Sequence, residues 1–456
     1  MTRSNNAWLV SVVLAATLLG SGVAVAETVT LNLQQCVERA NSHDPRISEK
    51  RELVGVARGL LQEAEGTSSW IYDVNTFAAL SPRVKGGIFQ DGSGNLLLRS
   101  NALDFNGVSP WYDVEFAILH PLYTFGKEEN YANAAQNNIK ISQGDIALQR
   151  AGTYIDVVRA YNGYLAARDA RRLLEDANSK AEAALGIIQK WLDNGEGEAK
   201  QSDLFALQTG TALIKRYISQ TQGLENVAYA GLKMLIGLQN DDELTLADER
   251  VAPVEMPQQT LEQFQQLALK QRPEMMQVDA GLAARRALVA AKQSEKYPNV
   301  YAGVVGSIAY SPLRENLSDV AVYDPFNHAG LTPIVGVKWD LFSGQQNGRI
   351  AQAQAEYNAL VEKKSFAQMG IPFQVAEQYH QMHAAHDMVQ RLYEGARSGR
   401  RWMISAYADF EAGLETSTNL VTAFQGYVLA YTDYFRAVND YNVTVARLKV
   451  ATGEIQ

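Results

Sequence analysis

The feature that most limits what this chain can fold into is that it is written twice. Leu33, Gln35, Ala40, Pro45, Arg58 and Leu60 recur 228 residues later as Leu261, Gln263, Ala268, Pro273, Arg286 and Leu288. Leu122, Ala132 and Ala134 recur 219 residues later as Leu341, Ala351 and Ala353. Tyr161, Ala166, Ala167 and Asp169 recur after 218 residues as Tyr379, Ala384, Ala385 and Asp387. Asp193, Gly197, Leu204, Leu232, Lys233 and Gly237 recur after 216 as Asp409, Gly413, Leu420, Leu448, Lys449 and Gly453. The matches keep their order. A solenoid repeats every ~20–50 residues, so this period means one structural half used twice.

Each copy reads with the same grammar. A helix over about Leu33–Glu65, and again Leu261–Glu295, is followed by a β-like region. Strands fall within about 70–125 in the first copy and 298–343 in the second. A very long helical run comes next, Lys127–Leu192 and Gln345–Phe410, then a glycine turn and a last helix, Gln201–Ile236 and Thr416–Thr452. The division is therefore 27–237, a linker at 238–259 rich in Asn, Asp and Pro, and 260–456. A run such as Lys127–Leu192 spans ~100 Å at the helical rise, which needs other long helices as partners. Gly370-Ile371-Pro372 lies inside the second long run, and a proline there either bends the helix or breaks it in two.

The β regions alternate. Val335, Val337, Trp339 and Leu341 oppose Gly336, Lys338 and Asp340; Val114, Phe116 and Ile118 oppose Asp113, Glu115 and Ala117. Tyr72, Val74, Thr76, Ala78 and Leu80 oppose Asp73, Asn75 and Phe77, while Val300, Ala302, Val304, Ile308 and Tyr310 oppose small residues such as Gly303 and Ser307. A soluble sheet alternates in this way, and so does a strand between lipid and water. Arg3, the apolar run Ala7–Leu19 and the cleavage pattern Ala24-Val25-Ala26 read as an export signal over 1–26, with a mature start at Glu27. No other run is long enough for a membrane-spanning helix, so a membrane location after export requires strands. Four strands cannot close a barrel and open edges are not tolerated in lipid. Two copies would supply eight strands and three copies twelve.

These residues resemble the TolC-like outer membrane efflux family over nearly the whole mature chain. The resemblance is carried by the openers TVTLNLQQCVERANSHDP and QQTLEQFQQLALKQRP and by the strand-to-helix passages HPLYTFGKEENYANAAQ and WDLFSGQQNGRIAQAQAE. The turns at Gly197 and Gly413, with Asp203 or Asn419 six residues on, add to it. The resemblance implies a mainly α fold with a membrane β-barrel portion. Duplicated helical hairpins would form a periplasmic α-barrel, and four strands per chain would join a trimeric, 12-stranded outer-membrane barrel. It implies a homotrimer in outer-membrane lipid of a Gram-negative cell, reaching through the periplasm. The partners would be a periplasmic adaptor protein and an inner-membrane transporter, proton-driven (RND-type) or ATP-driven (ABC). The duct would be passive and gated, serving a tripartite efflux pump or type I secretion. By the same resemblance the constriction falls at Asp203, Asn419 and Thr422, and the adaptor meets the helical tips at Gly197, Gly413 and Leu414. The family's best-known pattern has carboxylates where this chain has Asn419 and Thr422, so its acidic ring is reduced here.

Other classes fit less well. No nucleophile elbow, phosphate loop, zinc-helix or dinucleotide pattern is present, which argues against an enzyme and against a cofactor. The formal charge of -9 argues against nucleic acid. Cys36, the single cysteine, reads as a half-buried small residue. His380, His383 and His386 share a helix without a completing carboxylate or cysteine, and read as a solvated surface with no metal. A secreted or periplasmic coiled-coil interaction protein is the remaining alternative, and the strands at matching places in both copies stand against it.

Overall fold

The computed structural model describes residues 28–83, 107–195, 199–239, 241–314, 324–341 and 343–455. The first half runs β1 (Thr28–Leu31), α1 (Leu33–His43), α2 (Pro45–Gly66), β2 (Ile71–Pro82), β3 (Val108–Tyr123), α3 (Lys127–Asn194) and α4 (Gln201–Leu235). The second runs β4 (Glu243–Leu246), α5 (Leu261–Gln271), α6 (Pro273–Ser294), β5 (Asn299–Tyr310), β6 (His328–Lys338), α7 (Ser343–Glu411) and α8 (Ser417–Ala451). The fold is mainly α, with long hairpins and a four-stranded sheet. The export signal expected at 1–26 lies outside the described residues.

The openers are helix caps. Asn32 accepts from Gln35 N–H at 2.9 Å while the Gln35 side chain accepts from Asn32 N–H at 2.9 Å. Thr260 and Gln263 repeat the exchange at 2.9 and 3.4 Å. Each satisfies donors that a helix start leaves unpaired. The single opening helix expected in each half is two. Pro45 and Pro273 each take the first position of a new helix, where the missing N–H costs nothing. Residues before proline favour extended backbone, and Asp44 and Arg272 have ψ of 115° and 131°.

An inverted ion pair holds each joint. In the first, Arg46 grips Asp44 at 2.8 Å and Thr153 of α3 donates to the same carboxylate at 2.7 Å. Burial pushes the Asp44 carboxyl up, but the bonds from Arg46 and Thr153 outweigh it and hold it below the usual range. In the second, the base comes first: Arg272 grips Glu274 at 2.5 Å.

The long helices have 68 and 69 residues, about 100 Å each. Ala166, Ala167, Ala170, Ala177, Ala181 and Ala184 line the buried side of α3. Small side chains let neighbouring helices approach closely. Pro372 does not break its run, and α7 is one helix through it. Ile371 and Val375 beside it are buried in the core, and Gln265 of α5 donates to the Pro372 carbonyl at 3.0 Å. Tertiary packing outweighs the local cost of ~3 kcal/mol.

Beneath the sheet, α2, α3, α6 and α7 lie side by side in that order. It is the order of the strands they continue into, β2-β3-β5-β6. At their meeting point Tyr131 of α3 donates to Glu295 of α6 at 2.5 Å, Lys292 to Tyr131 at 2.6 Å, and Gln346 of α7 to Glu295 at 2.9 Å. Lower down α3 pairs with α4, α7 with α8, and α3 with α8. The expected linker 238–259 is not all loop. Its Glu243–Leu246 pairs in parallel with Thr28–Leu31, and two four-residue strands are too short for periodicity to announce.

Candidate channel-forming surfaces

The sheet's register turns the alternation of single strands into two continuous faces. One row is Tyr72, Ile118, Val304 and Pro333; the next is Val74, Phe116, Gly306 and Leu331; the next is Thr76, Val114, Ile308 and Ala329. Of these, only Tyr72 and Thr76 carry a polar side-chain group, a single hydroxyl each. The intervening rows hold the opposite face: Asp73, Ala117, Val305 and Thr332, then Asn75, Glu115, Ser307 and Gly330, then Phe77, Asp113, Ala309 and His328. Ser307 Oγ lies 2.8 Å from His328 Nε2.

The apolar face is bare within one chain. Val74 is 63% exposed, Leu331 68% and Val335 77%. Such a patch marks contact with another protein or with lipid. Aromatic rings crowd both ends. Trp70 stacks on His120 at 5.0 Å, and Phe125 on Tyr297 at 5.2 Å, on the helix side. Trp111 meets Phe326 at 5.4 Å at the far end. A strand such as β5, with 12 residues, is long enough to cross a tilted apolar band ~25 Å tall. Strands β2 and β6 have no neighbour on their outer sides among the described residues.

Prolines obey the same logic. β3 has partners on both sides only over 112–119. Pro110 and Pro121 fall just outside that stretch, and Pro333 lies in β6, an edge of the chain's own sheet, where a missing N–H is tolerated.

The far ends of the long hairpins form the second surface. The cap of α3 is Gly195, at φ 68°, and that of α7 is Gly413, at φ 73°. Gly197 lies outside the described residues. Leu414 is 80% exposed at the tip. Its N–H closes on Asp409 O at 2.8 Å. Trp191 and Phe410 meet at 5.4 Å, so the two hairpins touch near their ends.

Asp203 sits in the first turn of α4, and both its oxygens are engaged. Lys200 N–H donates to Oδ2 at 2.9 Å and Ser417 Oγ donates to Oδ1 at 2.6 Å. Ser417 opens α8, so the carboxylate ties the starts of two helices 214 residues apart. No local pattern announces this partner, which lies in the other repeat. Asn419 is exposed and donates to Glu415 at 2.7 Å. Hydrogen bonds from Thr416 N–H and Asn419 hold the Glu415 carboxyl below its ordinary range. Thr422 is exposed and bonds back to Thr418 O at 2.9 Å. Of the helix histidines, His380 and His383 both pack on Tyr379, at 5.6 and 4.5 Å, and His386 packs on Tyr441 at 5.5 Å.

Known proteins share this fold. The sequence profile of the family described as outer membrane efflux protein matches residues 265–454, most of the second half. No curated protein sequence matches the chain. Among solved structures the chain is similar to CusC, a transmembrane channel, at 14% identity and a TM-score of 0.72, covering 95% of each chain. It is similar to the CmeC outer membrane channel of Campylobacter jejuni at 12% identity and 0.73, covering 92% of this chain and 85% of that one. The MtrE outer membrane channel of Neisseria gonorrhoeae, in its open state, matches at 14% and 0.71, over 92% and 89%.

Proposed function

We propose that this TolC-like chain, whose residues 265–454 match the outer membrane efflux protein family, forms the outer-membrane duct of an export system. The observation that carries the reading is the open sheet with one apolar and one polar face. Burying both edges and the apolar face at once requires further copies. β2 and β6 run in opposite directions, so β6 of one copy meets β2 of the next as an antiparallel neighbour, like every pair of this sheet within the chain. Three copies give a 12-stranded barrel, within the range of membrane barrels.

The helices below continue the wall into the periplasm. We place the narrowing of the duct at the hairpin ends, where Asp203, Asn419 and Thr422 lie, and the docking of a periplasmic adaptor at the tips, around Gly197, Gly413 and Leu414. An inner-membrane transporter, RND-type or ABC, would supply the energy for efflux or type I secretion. The duct itself needs no catalysis. A soluble coiled-coil protein would have no use for the bare apolar face.

Mass measurement in mild detergent is expected to give three copies per particle, recovered from outer membranes that resist high-salt extraction. A monomer in the membrane would refute the barrel. Export adds a second expectation. N-terminal sequencing of the membrane-bound protein should begin at Glu27, and a retained Met1 would refute the cleavage at Ala26.

A further inference from the structure

The two halves of the chain are joined along one stripe of α3. Gln277 of α6 donates to Asp145 at 2.7 Å, and a side chain at Gly144 would run into Gln277. Farther along, Val158 packs with Val443 and Ala446 of α8 in a small buried cluster. The duplication writes this joint a second time. At the offset of Tyr161, the positions Asp145, Leu148, Ala151, Ile155 and Val158 recur on α7 as Lys363, Phe366, Met369, Phe373 and Ala376. Facing them, Gln277 has its counterpart in Glu49 of α2, and Val443 and Val450 have theirs in Val227 and Met234 of α4.

Within one chain this second set is left open. α4 packs mainly on α3 and α7 mainly on α8, so α4 and α7 lie at opposite edges of the helical layer. Ala151, Val158 and Val443 are buried, but Phe366 and Phe373 are 72% and 71% exposed, and Val227 and Met234 72% and 73%. Bare apolar groups of this size mark a contact surface. The two edges also continue those of the sheet. α7 follows β6. The end of α4 meets the opening helices that lead to β2, where Arg39 donates to Ile236 O at 3.0 Å.

We propose that a second copy of this chain covers these edges. In that seam Phe366, Met369 and Phe373 of one copy close on Val227 and Met234 of the next, with Lys363 opposite Glu49. It repeats between copies the joint that α3 makes with α6 and α8 inside one. This rests on the duct reading, and it names the residues that hold the ring together outside the membrane. The two surfaces differ and lie on opposite edges, so the contact is head-to-tail and generates a ring. Where the inner joint pairs Gln277 with Asp145, the outer one opposes a carboxylate and an ammonium, which fixes register between copies.

The test uses the full-length protein in outer membranes. Oxidation of the double variant Val227→Cys/Ala376→Cys should give covalent dimers and trimers on denaturing gels, and neither single variant should. The native Cys36 is buried and does not compete. Charge reversal supplies a second reading. Lys363→Glu should lower the fraction of trimer that survives mild heating in detergent by about twofold or more, and adding Glu49→Lys should restore it. The seam is refuted if the cysteine pair stays unlinked in a particle that mass measurement still shows as three copies. It is refuted equally if Glu49→Lys deepens the loss instead of reversing it. In both cases the duct reading stands. A wild-type particle of one copy overturns both.

Discussion

Leu331→Arg is expected to abolish assembly in the outer membrane. Leu331 sits in a middle row of the apolar face, beside Gly306 and in line with Phe116 and Val74. An arginine at the bilayer midplane of a barrel costs ~2–4 kcal/mol, and a trimer carries the change three times, about 6–12 kcal/mol per particle. That is comparable with the whole folding stability of a typical domain. The protein should be lost from the outer-membrane fraction and the trimer band should vanish. The matched control is Asn75→Arg, one residue along β2 from the row of Leu331 and on the opposite face. It should assemble normally. Normal assembly of Leu331→Arg would mean that this face does not meet lipid. The pair of outcomes reads the orientation of the sheet directly, because a one-residue step in a strand changes the face and little else.

Much of this sheet is legible in the amino-acid sequence, and the physical reason is its period. Val114, Phe116 and Ile118 against Asp113 and Glu115 is a pattern of two, which a strand keeps when its faces meet different surroundings. The long helices are legible from their length and from the recurrence of the same residues in both copies. Signals that depend on one residue are weaker. Alternation alone puts the last strand at Val335–Leu341, whereas β6 is His328–Lys338. Gly330 and Pro333 read as breakers there, and nothing local says that the strand is an edge of its own sheet. The split of the opening helix at Pro45 and Pro273 is encoded locally, since proline prefers the first position of a helix.

The tips show the opposite limit. Symmetry between the copies points to a turn around Gly197, which lies outside the described residues; the left-handed residue that caps α3 is Gly195, directly after Asn194, and the symmetry does not announce it. The bond from Ser417 to Asp203 is out of reach for another reason. It joins two helix starts from different repeats, and no pattern within either repeat encodes a contact between them.

The segment joining the two halves is the other place where long-range contact decides, and there Asn442→Leu is expected to be destabilising. Asn442 of α8 is buried. Its amide donates to Asn162 Oδ1 of α3 at 2.7 Å and to Ala252 O at 2.9 Å, and it accepts from Val254 N–H at 2.9 Å. One side chain thus joins the first half, the connecting segment and the second half. The strap continues upstream. Val251 N–H donates to Asp169 at 2.8 Å, Arg168 to Asp248 O at 2.9 Å, and Tyr161 to Asp248 Oδ2 at 2.6 Å. Leucine has nearly the same size, so packing survives while the buried Asn162 amide oxygen loses its partner, together with the Ala252 carbonyl and Val254 N–H on exposed residues of the connecting segment. The buried group costs ~1–3 kcal/mol, and the two that water can reach add little. Thermal melting of the purified protein should fall clearly below wild type. Hydrogen exchange should rise first at 248–254. Asn226→Leu, on the exposed side of α4, should shift melting little, since surface changes rarely exceed ~0.5 kcal/mol. If Asn442→Leu melts like wild type with 248–254 still protected, α3 and α8 are held by their apolar contacts alone, and the strap merely follows them.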